Sequence, residues 1–424
     1  MRSVFDVSYQ ELPASARDLY RTLGLHPGVE FHLTAVAAAA GLSTAALREP
    51  LDALLNANLL QEVCADRYRF HDLVRLHAGE RAEAEHSAEQ RREVVLRVVE
   101  HYIRRTAAAA DLCTPHLRGA AYDFTFPAAD SAAFAGHREA LDWLEQERPS
   151  LVGGVRAAVG HGLPAAAWHL GYVLWPLFRY RGHHADWRTV DELCLAAARE
   201  LDAAEKEART ARRLAMLHHR RGAWPEAARL LERCGELFAS LRDTYGTTDA
   251  HDARAVLALA QGDPTAARTL ALRAEAGFRE LGFPREAALS LLLAGQAEIR
   301  TGWVATGLDH LRTAEARLRE SRDVDPFNAT RARIALGSGL VAADELTEAS
   351  AALDDGLAEM TELGSLTGRA LAHHGLAELA AARRDPAAEQ VHLAEAVRLF
   401  DHEGDAAAEP LRDRLTGPTG PADP

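Results

Sequence analysis

Three histidine pairs stand out among the residues that could do chemistry: His183-His184, His218-His219 and His373-His374. The first two lie about one period of the chain's repeat apart, so their rings could converge on one groove. A zinc site needs three or four ligands in closed geometry. No cysteine or carboxylate is placed to complete one, so the pairs read as solvated helix-end histidines and no metal is expected. Gly337-Ser338-Gly339 falls inside a helical pattern, not on the strand-to-helix elbow of a hydrolase nucleophile. Asp354 and Asp355 are sequential and splay apart on a helix. No H-E-x-x-H occurs. A G-x-x-x-x-G-K-[ST] loop is also missing, and Lys206, the only lysine, sits in a charged helix without glycines. Cys64, Cys113, Cys194 and Cys234 form no C-x-x-C pair and read as free thiols of an intracellular protein. The expectation is a non-enzyme without a cofactor.

Composition narrows the partners. The 424 residues carry a formal charge of −14, which phosphate backbones repel unless basic residues cluster. Aromatics are 6%, too few for base-stacking platforms. No N-terminal apolar stretch resembles a signal peptide, and the most apolar run, near Trp168 to Phe178, is too short to span a bilayer. A cytoplasmic location is expected.

The elements that must position any site are repeats. Ala227, Leu230, Leu231, Cys234, Leu237, Phe238 and Leu241 follow one face of a 3.6-period helix. The pattern returns from anchors at Trp187, Ala267, Gly307, Ala349 and Glu389, with a 42-residue step between 307 and 349. Five residues before each anchor lies a turn, at Gly182, Gly222, Gly262, Gly302, Asp344 and Arg384. Glycine there lets the chain leave a helix with positive φ, and Pro225, Pro264 and Pro386 suit the first turn of the next. Helix, tight turn, helix repeated about six times is a mainly α, tetratricopeptide (TPR)-like solenoid, because stacked pairs bury what one pair cannot. Residues 164–404 are assigned to it. The first helices should line a concave groove with Arg209, Arg212, Arg213, Arg220, Gln296, Arg300, Asn328, Arg331 and Arg333. That set reads either as a peptide groove with affinity for carboxylates or as a solvated arginine face.

Residues 1–84 read as a winged helix: an amphipathic helix from Pro13 to Leu23, a short one from Leu33 to Ala40 ending at Gly41, and a third capped by Ser43 with Leu47, Leu51, Leu54 and Leu55 buried. Leu59 to Val63 and Tyr68 to Phe70 make two short strands. This segment holds 8 arginines against 11 acidic residues, and its recognition helix carries Glu49 and Asp52 beside Arg48. DNA binding is therefore the lesser reading, and packing on another domain the greater. Residues 85–163 read as connecting helices with an irregular insert, and 405–424 as a disordered tail.

Val4 to Tyr9, Leu23 to Gly28 and Tyr68 to Leu73 resemble the winged-helix segment of actinobacterial NB-ARC/TPR regulators, the AfsR-like members of the STAND class of signal-transduction ATPases. Ala140 to Glu145 with Glu147 to Leu151 resembles their junction with the repeats, and Arg181-Gly182-His183 with Trp187 their first TPR unit. The resemblance implies a switch: an ATPase module binds ADP or ATP, the winged helix closes over it, and the repeats sense a partner. Phe70-His71-Asp72 matches the family's M-H-D motif, whose histidine contacts the ADP phosphate, so the resemblance assigns nucleotide sensing to His71 and Asp72 when such a module is present in cis or in trans. The family's phosphate loop is absent, and Met1 falls where its ATPase core would end. The chain is thus expected to be either a fragment of a longer regulator or a stand-alone remnant. Standing alone, His71 caps or packs in the wing. The expected function is a regulatory TPR arm that binds a protein or peptide. A nucleotide-independent TPR scaffold and a winged-helix transcription factor are the alternatives.

Overall fold

The computed structural model describes residues 2–117, 121–128, 132–321 and 323–416, and the chain divides into two compact units. The first comprises Met1–Cys113, Leu117–Pro176 and Glu192–Asp202; the second comprises Thr114–His116, Leu177–Asp191 and Ala203–Pro424.

The first unit opens with α1 (Arg2–Glu11), α2 (Ala14–Gly24), β1 (Glu30–His32), α3 (Leu33–Ala40), α4 (Arg48–Asn56), β2 (Gln61–Cys64), β3 (Arg67–Arg69) and α5 (Asp72–Glu85). Gly41 ends α3 with φ of 65°, as the sequence predicts, and the leucine stripe Leu47, Leu51 and Leu54 is buried. Ser43 caps a turn, its Oγ accepting from the Ala46 amide at 3.3 Å, and the helix proper starts later, at Arg48. The hairpin β2–β3 is joined by β1, which pairs antiparallel on the other side of β3. This third strand has only three residues and gives no period to read. Then come α6 (Ala88–Cys113), α7 (His137–Gly160) and α8 (Pro164–Val173). Between α6 and α7 the insert is pinned by buried Glu100, which accepts from the amides of Thr125 at 2.8 Å and Phe126 at 3.0 Å.

After α9 (Trp175–Arg181) and α10 (His184–Glu200) the array becomes regular. Its pairs are α11 (Ala204–Arg220) with α12 (Trp224–Ser240), α13 (Thr244–Ala260) with α14 (Pro264–Glu280), α15 (Pro284–Arg300) with α16 (Val304–Glu320), α17 (Pro326–Ala342) with α18 (Leu346–Glu362), and α19 (Leu366–Ala382) with α20 (Pro386–Glu403). Every expected turn residue has positive φ, including the two non-glycines: 63° at Asp344 and 59° at Arg384. Aspartates or a serine cap several first turns, as Asp243 does for Gly246 and Asp263 for Ala266. The expected faces are buried at Ala227, Leu231, Cys234 and Phe238 and again at Ala267, Ala271, Ala274 and Phe278. Leu241 and Leu281, placed on that stripe by spacing, are 45% and 37% exposed because each follows the last helical residue.

The 42-residue step is a five-residue linker, 321–325, where the other pair-to-pair linkers of the regular array have three. Successive first helices (α11, α13, α15, α17, α19) touch one another and successive second helices barely do, so the array curves with its first helices inside. The stretch from Asp405 expected to be disordered holds α21 (Ala408–Thr416). Ala408, Leu411 and Leu415 pack with Val397 and Phe400, an i, i+3, i+7 stripe that its Pro- and Gly-rich composition hides. Residues 417–424 of that tail lie outside the described residues. Among the described residues no helix is long and apolar enough to cross a membrane.

Candidate functional site

The inner face is set by register. Counting from each first helix's start, the second position holds Glu205, Tyr245, Arg285 and Phe327 in α11, α13, α15 and α17. The sixth holds Arg209, Asp249, Leu289 and Arg331, and the ninth holds Arg212, Asp252, Leu292 and Ile334. These positions lie on one side of a helix, so stacking the pairs sets the charged side chains of one helix against its neighbours. On α15 the sixth and ninth places are aliphatic, which interrupts the run of charge between α13 and α17.

Arg212 forms an ion pair with Asp249. Arg285 pairs with Asp325, its Nε donating at 2.8 Å, and Asp325 also accepts from Asn328 Nδ2 at 2.6 Å and caps α17 through the Asn328 amide. His116 lies 3.8 Å from the same carboxylate. Asn328 Oδ1 accepts from Arg179 at 3.0 Å, and the Arg179 guanidinium stacks 3.6 Å above the Phe327 ring. Asp252 accepts from Ser290 Oγ at 2.5 Å. Arg331 has no hydrogen bond or ion pair to any described residue, and its Nε is buried without a partner.

Burial shapes the ionisation here. It raises the carboxyls of Asp249 and Asp252 above the usual range, against the pull of Arg212 and, at Asp252, of the Ser290 hydroxyl. Burial alone would raise Asp325 too, but Arg285 and His116 hold it below its ordinary value. Burial lowers Arg331, and it pushes Arg179 down to about 9 with Arg331 as the next cause. Two arginines thus sit close enough to repel each other, on an inner face where the Arg331 side chain is still partly exposed.

Of the nine residues read from sequence as a groove, the structure brings Arg212, Asn328 and Arg331 into this cluster. Arg209 pairs with Glu205 on its own helix at 2.8 Å. Arg213 is spent between α10 and α11 on buried Asp191, which also accepts from Trp187 Nε1 at 2.7 Å. Arg220 binds Glu403 and Asp405, Arg300 reaches the Leu259 carbonyl at 2.7 Å, and Arg333 pairs with Glu359 at 2.5 Å. Gln296 is half-buried on α15 with no hydrogen bond to a described residue. Sequence reasoning missed Arg179, Asp249, Asp252, Arg285 and Asp325. A signal existed for two of them, since Asp249 and Asp252 lie one 40-residue period after Arg209 and Arg212.

His71 and Asp72, in the first unit, are exposed where β3 leads into α5. His71 precedes the helix without capping it through its side chain; its Nε2 lies 2.7 Å from the Gln61 amide. Beside it Leu73 and Leu76 are 50% and 65% exposed, an unusual state for leucine. Among the described residues no group of three or more His, Cys, Asp or Glu has metal-holding geometry. Gly337 and Gly339 flank Ser338 inside α17, where a side-chain Cβ would strike Leu353 and Leu311. Those glycines serve helix packing.

No family model matches the chain. It is 27% identical over 309 residues to the regulatory protein AfsR of Streptomyces griseus, covering 73% of this chain and 32% of that protein. To AfsR of Streptomyces coelicolor it is 33% identical over 167 residues, covering 38% and 16%. The chain therefore spans less than a third of either relative, and the resemblance to AfsR-like regulators is borne out over that length. Among solved structures it is similar to a STAND protein with a tetratricopeptide repeat sensor from Pyrococcus horikoshii, at 15% identity over 98% of this chain and 67% of the other, with a TM-score of 0.41. It is also similar to a Rap protein complexed with competence and sporulation factor, at 12% identity over 78% and 97%, with a TM-score of 0.44.

Proposed function

We propose that the chain is the TPR arm and winged helix of a STAND-type regulator, non-enzymatic in itself and acting in the cytoplasm by binding a protein or peptide on its inner face. The observation that carries this is the partly exposed cluster of charged first-helix side chains, among which Arg331 makes no bond to a described residue. A face built only for stability would close its charges into pairs, as Arg213 and Asp191 do.

The winged helix supports the switch half of the reading. Exposed leucines beside an exposed His71-Asp72 suit a surface that another module covers. In the proposal that module is a nucleotide-binding domain, in cis or in trans, and His71 reaches the phosphate of its bound ADP. The outer side of α4 shows Arg48, Glu49 and Asp52, a net negative balance that argues against DNA as the partner.

Titrating the chain with an NB-ARC module of an AfsR-type protein, loaded with ADP or with a non-hydrolysable ATP analogue, tests the switch. Binding is expected with ADP, weaker with the analogue, and lost by about tenfold or more in Leu76→Asp. Binding that ignores both nucleotide and Leu76 would leave only a nucleotide-independent scaffold.

A further inference from the structure

Among the described residues of the inner face, Arg331 is a first-helix cation that forms no ion pair. Arg212 is closed by Asp249 and Arg285 by Asp325. The Arg212 pair joins the ninth place of one first helix to the sixth of the next. Arg331 holds the sixth place of α17, and the ninth place of the preceding first helix is Leu292, with Leu289 one turn before it. Neither side chain has an acceptor, so α15 leaves Arg331 without the partner that this register supplies elsewhere. Arg331 projects from the same face of α17 as Asn328, one turn away, with Arg179 beside it on Asn328. Asp252 is near enough for each to bias the other's ionisation, yet forms no ion pair with it.

We propose that Arg331, backed by Arg179, is the anion subsite of the inner face and takes a single carboxylate of an acidic peptide. This rests on the reading of the inner face as the partner-binding surface. Arginine's planar fork matches a carboxylate with two parallel hydrogen bonds. The neighbouring carboxylates of Asp252 and Asp325 repel a second negative charge, so a monoanion fits and a phosphate dianion does not. Half-buried Leu289 gives the peptide's aliphatic stem an apolar surface beside the guanidinium. Asp252, held only by the Ser290 hydroxyl, remains an acceptor for the peptide's own N–H groups. An extended peptide lying along the first helices meets both charges.

The full chain, wild type and Arg331→Leu, is screened against N-acetylated hexapeptides carrying one Glu or Asp at each position, with Gln and Asn isosteres as controls. Inorganic phosphate and acetate are the competitors. The wild type is expected to retain a subset of acidic peptides, to ignore their amide isosteres, and to lose about tenfold or more in affinity in Arg331→Leu. Equal retention by Arg331→Leu overturns the subsite while leaving the inner face as a peptide surface. Retention of no peptide by the wild type overturns both. Phosphate displacing the peptides at lower concentration than acetate overturns the choice of carboxylate. A second readout needs no ligand: losing a desolvated cation that forms no ion pair should raise the melting temperature of Arg331→Leu. A lower melting temperature would make Arg331 a structural residue and end the proposal.

Discussion

His26 begins a buried relay in the first unit. The Gly28 amide donates to its Nδ1 at 3.0 Å, which leaves Nε2 protonated and donating to Tyr102 Oη at 3.1 Å. Tyr102 donates to Glu147 at 3.2 Å, and Glu147 is held by Arg67 at 2.6 Å. The chain ties the hairpin to α6 and α7, and it has room for one proton on the imidazole. Burial pushes His26 down to about 3, with Arg75 and His101 as further causes, and it pushes His101, next to Arg105, down to the same value. Both stay neutral when folded, whereas an unfolded histidine protonates near 6.5. The unfolded state therefore binds more protons between about 6.5 and 3, and stability falls as pH drops through that window. Each histidine contributes a slope of up to about 1.4 kcal/mol per pH unit. From pH 7 to pH 5, His26→Gln is expected to lose about 2 kcal/mol less than wild type in urea unfolding. Equal losses would mean that His26 titrates freely when folded. None of this was legible in sequence, because His26, Tyr102 and Glu147 are brought together by packing and share no period.

At the scale of elements the sequence is far more readable, because each turn must satisfy one backbone requirement. Four glycines at 40-residue spacing locate the tight turns, and the same register singles out Asp344 and Arg384 as residues forced to positive φ. An arginine in that conformation carries strain that glycine avoids. Arg384 is exposed and its side chain makes no bond to a described residue, so Arg384→Gly is expected to stabilise the protein by about 0.5–1 kcal/mol despite the added freedom of the unfolded chain. The reverse change is Gly262→Ala. A Cβ there meets nothing within 4 Å, so its cost of about 1 kcal/mol comes from φ alone. Thermal melts that move both variants in one direction would contradict the turn geometry. What periodicity did not carry were elements with too few residues to repeat, such as β1, and partners chosen across helices. It marked the two extra residues near 321–325 as an irregularity, but not that they place Asp325 to close Arg285 and cap α17.

On the scale of the whole array, the second unit returns on itself. Arg220, at the end of α11, donates to Asp405 at 2.9 Å, to Thr367 at 2.7 Å and to Glu403 at 3.1 Å. The Ala406 amide donates to the Arg220 carbonyl at 2.7 Å, and a side chain at Gly182 would strike Glu403. These contacts join the first regular pair to the last. Glu403 is fully enclosed, and burial raises its carboxyl against the pull of Arg220. Removing Arg220 strands that carboxylate, which costs about 3–5 kcal/mol for a buried pair broken on one side. Arg220→Ala is expected to open the array, with faster hydrogen exchange in α19–α21 and a larger radius of gyration in solution scattering. Adding Glu403→Gln to Arg220→Ala removes the stranded charge and should recover part of the stability without restoring these contacts. If exchange in α19–α21 is unchanged by Arg220→Ala, the ends are held by apolar packing, and the arginine is not what joins the two pairs.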